Sequence, residues 1–205
     1  MITILGLDAD DTLWQNEEFF RLTQSEFANR LAPYMGDDPL QRHLIEVERR
    51  NIERYGYGIK GFMLSMIETA IEVSDGQIPT QIIQEILTLG HDMLDHPINL
   101  LPGVAQALPN LAENYRVILI TKGDLLHQEQ KIARSGLAPY FDQVEIVSEK
   151  DVATYAGIFG NDVAQSVMVG NSMKSDILPA LEAGAAAVHI PAQFEWDLEK
   201  ADVDW

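Results

Sequence analysis

The segment MITILGLDADDTL, residues 1–13, decides how the rest of the chain is read. Ile2–Leu7 is a short apolar run, rich in β-branched residues and closed by a carboxylate at Asp8. It reads as a strand buried on both faces. Asp8, Asp10 and Asp11 follow immediately, with Thr12 beside them. In open parallel sheets, ligands bind outside the carboxyl ends of the strands. Carboxylates this crowded repel one another unless a cation sits among them, and they are the hard oxygen donors that Mg²⁺ takes. A charged, solvated turn would carry the same residues, so the discriminating information lies further along.

Four more short apolar runs recur at Val117–Ile120, Val144–Val147, Val167–Val169 and Ala186–Ile190. Helical stretches separate them. Leu125–Arg134 has Asp124 as its N-cap and Gly136 just past its end, and Asp176–Ala183 is stopped by Gly184. Strand–helix alternation from residue 103 onward predicts an α/β fold, a Rossmann-like parallel sheet with helices on both faces. Residues 15–97 break the alternation. Phe19, Leu22, Phe27 and Leu31 suit one helix. Asp38 and Pro39 read as the cap and first position of a second, carrying Leu40, Leu44 and Val47. Ile59, Phe62, Met63, Met66, Ile67, Ala70 and Ile71 give a third, and Ile82, Ile83, Ile86, Leu87, Met93 and Leu94 a fourth, opened by Pro79. The block is too long for a simple βα connection. It reads as an inserted four-helix domain, with hinges near Trp14–Asn16 and His96–Pro102. The expected division is therefore a core of residues 1–14 and 98–205 and a helical insert of residues 15–97.

Composition bounds the chemistry. The 205 residues are 46% hydrophobic and 22% charged, ordinary for a globular protein. No apolar run approaches the ~20 residues of a membrane span. The opening segment lacks a basic region and meets a carboxylate at Asp8, so it does not read as a signal peptide, and the cytoplasm is the expected location. With 14 Lys+Arg against 32 Asp+Glu the net charge is −18, which disfavours nucleic acid and anionic membranes as partners. An anionic substrate would need cations supplied locally. The absence of Cys excludes disulfides, thiolate catalysis and Cys-type zinc sites, and the five His show no metal-ligand spacing. No feature of the sequence specifies an oligomeric state.

The remaining strand ends carry the discriminating pattern. Thr121, Lys122 and Gly123 follow the second strand, and a hydroxyl with backbone N–H groups at a helix N-terminus suits phosphoryl oxygens. Lys150 follows the third, where an ammonium neutralises phosphate charge. Gly170, Asn171 and Ser172 follow the fourth, with Asp176 five residues after Asn171. An acid pair, a hydroxyl, a lysine and a second oxygen-ligand group thus occur in order, each at the carboxyl end of a different strand. Each residue alone has a plain structural explanation; their joint order does not.

In these motifs, over nearly the whole chain, the sequence resembles the haloacid dehalogenase superfamily and its phosphatase branch with a C1-type helical cap. The resemblance is carried by Asp8-Ala9-Asp10-Asp11-Thr12, by Thr121-Lys122-Gly123, by Lys150 and by Gly170-Asn171-Ser172-Met173-Lys174-Ser175-Asp176. It implies a Mg²⁺-dependent hydrolase of a small phosphorylated metabolite. Asp8 would be the nucleophile, Asp10 the acid and then the base, and Thr121 and Lys150 the groups that hold the equatorial oxygens. The implied metal ligands are Asp8, the Asp10 backbone carbonyl, Asn171 and Asp176. The expected substrate contacts are Thr12, Lys122, Gly123 and, from the cap, Lys60. Two residues depart from the family's pattern. Asn171 stands where an Asp is usual, which removes a charge from the metal site. Lys122 stands where an Asn is commoner, and either joins the phosphate site or points to solvent. A 2-haloacid dehalogenase and a phosphomutase share the scaffold; the dehalogenase needs neither Asp10 nor Mg²⁺. A receiver domain puts its acceptor aspartate after a later strand and leaves the helical insert unexplained. A catalytically silent binding protein would have no use for the complete acid, threonine and lysine set.

Overall fold

The computed structural model describes residues 1–201. The chain forms two compact units: Met1–Glu17 with the segment from Ile98 onward, and Glu18–Pro97.

The first unit is built on a parallel sheet of five strands: β1 (Ile4–Leu7), β2 (Arg116–Lys122), β3 (Gln143–Val147), β4 (Ser166–Gly170) and β5 (Ala186–His189). Their order is β3-β2-β1-β4-β5. β1 is central, pairing with β2 from Ile4↔Arg116 and with β4 from Ile4↔Ser166. Alternate side chains feed two cores. Leu5, Leu7, Val117 and Leu119 pack with Trp14, Leu108 and Ile132 on one face. Ile4, Ile118, Ile120 and Met168 pack with Tyr155, Phe159 and Ala180 on the other. The covering helices are α5 (Val104–Ala112), α6 (Leu125–Ser135), α7 (Val152–Phe159) and α8 (Leu178–Ala183); α1–α4 belong to the helical unit. The chain runs outward from β1 to β3 on one side and resumes at β4 on the other. The carboxyl end of β1 is therefore the switch point of the sheet, where such folds bind ligands.

The second unit holds α1 (Glu17–Leu31, whose first residue falls in the sheet unit), α2 (Asp37–Tyr55), α3 (Ile59–Val73) and α4 (Thr80–Asp95). Its core is Phe27, Leu31, Leu40, Leu44, Ile59, Phe62, Met66, Ala70, Ile86 and Met93. The α/β architecture and the four-helix insert agree with the sequence reading; several details do not. α2 begins at Asp37 with Gly36 as its cap, so Asp38 is inside the first turn and Pro39 at its third position. Proline is accepted there because first-turn N–H groups have no partner within the helix. Leu22 and Ile71 are exposed rather than packed. Trp14, in the expected first hinge, is fully buried and bridges Leu100 in an antiparallel contact. The hydrogen bonds Gln15 N→Asn99 O (3.0 Å) and Leu101 N→Leu13 O (2.9 Å) tie the outgoing and returning chain together. The expected helix Asp176–Ala183 opens instead with a wide π-helical turn at Met173–Ile177.

Gly6, in the middle of β1, has no room for a side chain. A Cβ there would lie 2.9 Å from the Phe159 ring and 3.1 Å from Met168 Sδ. Gly6→Val should destabilise the chain by about 1–3 kcal/mol through overpacking, read as a lowered Tm in thermal denaturation; an unchanged Tm would contradict this account of the sheet core.

Candidate active site

The carboxyl ends of β1, β2, β3 and β4 bring Asp8, Thr121, Lys150 and Asn171 into one region. Lys150 lies at its centre, buried, with its ammonium 2.5 Å from Asp8 Oδ1 and 2.7 Å from Asp176 Oδ1. The other oxygen of Asp8 accepts the Thr12 hydroxyl at 2.8 Å. The other oxygen of Asp176 accepts the Ser172 N–H at 2.9 Å. Burial and the neighbouring Asp176 push the Asp8 carboxyl up, to about 7, against the pull of Lys150. The Lys150 ammonium is lowered by burial, but Asp176 and Asp8 together raise it well above its ordinary value. Two buried carboxylates share one lysine, so the cluster carries one negative charge too many.

Asp176 reaches Lys150 because of two backbone features. The π-helical turn carries it inward, the N–H of Ile177 bonding to the Ser172 carbonyl at 3.2 Å. Gly170 leaves the space, since a Cβ there would sit 2.3 Å from Asp176 Oδ2. Both carboxylate oxygens of Asp176 are thus engaged by protein donors, and its observed part is to hold Lys150.

Asn171 lies against the first loop. With its amide nitrogen inward, it donates to Asp8 Oδ2 (3.1 Å), Thr12 Oγ1 (3.2 Å) and the Asp10 carbonyl oxygen (3.0 Å). With its oxygen inward, that oxygen lies about 3 Å from each of the other three. That spacing matches the ~2.9 Å edge of an octahedron with 2.0–2.1 Å metal–oxygen bonds. Among the described residues no group of three or more His, Cys, Asp or Glu is arranged to hold a metal. A cation here would instead use a mixed set, the Asp8 carboxylate, the Asp10 carbonyl and the Asn171 amide, and the surplus negative charge fits it.

Asp10 is separately held. Its Oδ1 accepts from Trp14 Nε1 at 2.6 Å and pairs with Lys131 Nζ at 2.5 Å; its Oδ2 accepts from Gln128 Nε2 at 2.9 Å. Burial alone would raise its carboxyl, but Lys131, Gln128 and Trp14 hold it below the usual range. Asp11 turns away. It adopts φ 61°, a left-handed conformation that Asp tolerates better than most residues, and accepts from the N–H groups of Asn16 and Glu17. Burial, with Asp10 beside it, raises it to about 6.

Thr121 is buried, and its hydroxyl accepts from Gln128 Nε2 at 3.1 Å. Lys122 does not point into solvent: its ammonium meets Glu149 (3.1 Å), the Ser175 hydroxyl (2.9 Å) and Glu199 (2.6 Å). Glu199 also accepts from the hydroxyls of Ser172 and Ser175, and Lys174 bonds to the Leu198 carbonyl at 2.7 Å. The acidic segment after residue 194, which the sequence leads one to expect packed against the core, is held there by the Glu199 carboxylate and the Leu198 carbonyl; the last four residues of the chain, 202–205, lie outside the described ones. Lys60 belongs to the helical unit, exposed in the first turn of α3. The glycines before it serve the α2–α3 turn, Gly56 and Gly58 at φ 70° and 108°, and a Cβ on Gly61 would lie 2.8 Å from the Gly56 carbonyl. Arg50, on α2, is bound to Glu68 and Glu72 of α3.

The family model "haloacid dehalogenase-like hydrolase" matches residues 2–184. The chain belongs to that family. A haloacid dehalogenase-like family hydrolase from Xanthomonas campestris superposes with a TM-score of 0.88 at 43% identity, covering 98% of this chain and 86% of that one. The 2-haloacid dehalogenase of Pseudomonas syringae shares the fold, with a TM-score of 0.61 and 22% identity over 96% of this chain and 90% of its own. Among curated relatives, the glyceraldehyde 3-phosphate phosphatase of Methanothermobacter thermautotrophicus is 25% identical over 94% of this chain and 87% of its own length. The pyrimidine 5'-nucleotidase of Escherichia coli is 32% identical over 114 residues, about half of each chain. Among the described residues of this hydrolase, no helix is long and apolar enough to cross a membrane.

The residues that sequence reasoning missed are Gln128, Lys131 and Glu199. Glu199→Ala should cost about 1–3 kcal/mol, because it strips the partly buried Lys122 ammonium and two hydroxyls of their shared acceptor. The comparison is the Tm of this variant against that of Glu113→Ala, at an exposed site, expected within about 0.5 kcal/mol of the parent. Equal Tm values would mean that the tail contact contributes nothing.

Proposed function

We propose that this hydrolase is a Mg²⁺-dependent phosphatase of a small phosphomonoester, working through an aspartyl-phosphate on Asp8. The observation that carries the reading is the pair of first-loop carboxylates. Asp8 is gripped by Lys150 and Thr12 through separate oxygens, and Asp10 is held independently by donors of its own. One acid is placed to attack, the other to move a proton. The phosphatase relative that aligns over most of the chain supports the same choice.

In the first step an Asp8 oxygen bonds to phosphorus as the bond to the ester oxygen breaks, and Asp10 gives its proton to that departing oxygen. Resting, Asp10 is held as the carboxylate; a phosphate dianion arriving beside it favours its protonation and arms it as an acid. In the second step Asp10 takes a proton from water, the water oxygen bonds to phosphorus, and Asp8 leaves as the free carboxylate. Lys150 and Thr121 stabilise the charge that develops on the phosphoryl oxygens. Mg²⁺, held by Asp8, the Asp10 carbonyl and Asn171, would supply Lewis-acid polarisation of the phosphoryl group and screen it from Asp8. Asp176 keeps Lys150 in place. A dehalogenase reading leaves Asp10 without a task, since a halide departs without a proton. The helical unit, Glu18–Pro97, is read as the cap that selects substrate, with Lys60 as its candidate contact. The acidic surface favours a small anionic metabolite bound by local cations over a polyanion.

Asp8→Asn should abolish phosphate release, measured with Mg²⁺ across a panel of phosphorylated metabolites, while Tm stays within a few degrees of the parent. Full activity in that variant would remove Asp8 as the nucleophile. Mg²⁺ at about ten times its Kd should stabilise the parent by about 1.4 kcal/mol, and Asn171→Ala should shrink that thermal shift; equal shifts would take Asn171 out of the site. For the specific substrate, Lys60→Ala should raise KM more than it does for 4-nitrophenyl phosphate, and proportionate effects on both would argue against a specificity role.

A further inference from the structure

α6 is an inverted helix at its start. Leu125 and Leu126 are more than half exposed, while His127, Gln128 and Lys131 are buried together with Ile132. Gln128 and Lys131 are three residues apart and so share a face. Helices of a soluble core bury apolar residues and expose lysines, and a buried lysine is retained only where a partner compensates its desolvation. That partner is Asp10. Lys131 Nζ lies 2.5 Å from Asp10 Oδ1 and 3.1 Å from Asn16 Oδ1. Gln128 Nε2 faces three acceptors: Asp10 Oδ2 (2.9 Å), the Lys122 carbonyl (2.9 Å) and Thr121 Oγ1 (3.1 Å).

The amide of Gln128 cannot be turned over. Its oxygen is buried without a hydrogen-bond partner, a cost of about 1–3 kcal/mol. Turning it would set that oxygen against three acceptors instead. Gly123 makes the approach possible. It sits at φ 144°, and a Cβ there would lie 3.0 Å from Gln128 Nε2. The glycine of the second motif thus makes room for this amide, whatever its N–H binds.

The consequences can be read atom by atom. A carboxylate has about four in-plane lone-pair positions. On Asp10, Trp14 and Lys131 fill both positions of Oδ1, and Gln128 fills one of Oδ2. The remaining position on Oδ2 is where a travelling proton can sit.

We propose that Gln128 and Lys131 are positioning residues: together they lock the Asp10 carboxyl so that Oδ2 carries the proton exchanged with the leaving oxygen. This deepens, and rests on, the phosphatase reading in which Asp10 is the acid. A group that only braces the fold weakens turnover of every substrate alike. A group that aims the acid weakens it where the leaving oxygen needs a proton.

The test compares kcat/KM for an alkyl phosphate, whose alkoxide leaves poorly, with that for 4-nitrophenyl phosphate, whose phenolate leaves without help, both with Mg²⁺. Gln128→Ala and Lys131→Met should lose about 10–100-fold on the alkyl ester and less than about 3-fold on the aryl ester. Lys131→Arg, which keeps the charge, should restore most of the alkyl-to-aryl ratio. Gln128→Asn, which keeps the amide but is one methylene short, should not. These two milder variants decide the matter if the harsher ones fail to fold. Equal losses on both esters, or none, in folded variants overturn the proposal. Asp10→Asn is run beside them. If it is selective against the alkyl ester and the α6 variants are not, the positioning role alone falls; if it too shows no selectivity, the acid reading fails and the proposal falls with it.

Discussion

The site is organised around one buried ammonium. Lys150 bonds to Asp8 at the end of β1 and to Asp176 beyond the end of β4, while itself following β3. Three loops that are remote in sequence are thereby joined through a single atom. Such a contact is a poor source of stability, because desolvating the charges offsets most of their attraction; removing the shared ammonium is nonetheless severe, about 3–5 kcal/mol, since two carboxylates are then left buried without a cation. The arrangement is therefore better understood as a constraint on geometry. It also leaves a carboxylate in excess, and that excess makes the pocket receptive to a cation.

The sheet explains why these groups can meet at all. All five strands run parallel, so every carboxyl end opens on the same side. The reversal of direction at β1 opens a crevice there, between β2 and β4. Small backbone devices then adjust the details. The π-helical turn and Gly170 bring Asp176 to Lys150. The left-handed Asp11 sends its own carboxylate toward Asn16 and Glu17, away from the cluster. Among the described non-glycine residues, only Asp11 and Asp75 have positive φ, and Asp11 is the one inside the loop of the candidate site, where strain of this kind tends to gather.

Much of this was legible in the sequence because its causes are local. Runs of β-branched residues located all five strands. Asp124 and Gly136 marked the ends of α6 as they stand, the aspartate accepting the His127 N–H and the glycine at φ 73°. What was missed has non-local causes. Trp14 reads as part of a linker because nothing beside it in sequence is apolar in period; its partner Leu100 is some eighty-five residues away. The helical period of Asp176–Ala183 hid a turn that one extra residue makes wide. Gln128 and Lys131 left a faint signal, two adjacent leucines opposite a polar face at the start of a helix. It is interpretable only once Asp10 is known to lie across from them. Glu199 left no signal, because a lone acid in an acidic tail has nothing to distinguish it.

The three lysines of the site, Lys122, Lys131 and Lys150, complete the electrostatic argument. The chain has only 14 Lys+Arg for 32 acids, yet these three stand at the end of β2, on α6 and after β3, around the first aspartates, each against a carboxylate: Glu199, Asp10 and Asp8 with Asp176. None is a spare surface charge that steers anions from a distance; a net charge of −18 works against such steering. Selection of an anionic ligand must then happen after entry, where low dielectric strengthens every contact, by exchange of partners among these pairs. In the proposed reaction, a phosphoryl group entering the site competes with carboxylates already bound to the same lysines. The lysines are held in place before it arrives, so little reorganisation is required of them, and this preorganisation is the form of electrostatic stabilisation that accelerates group transfer most.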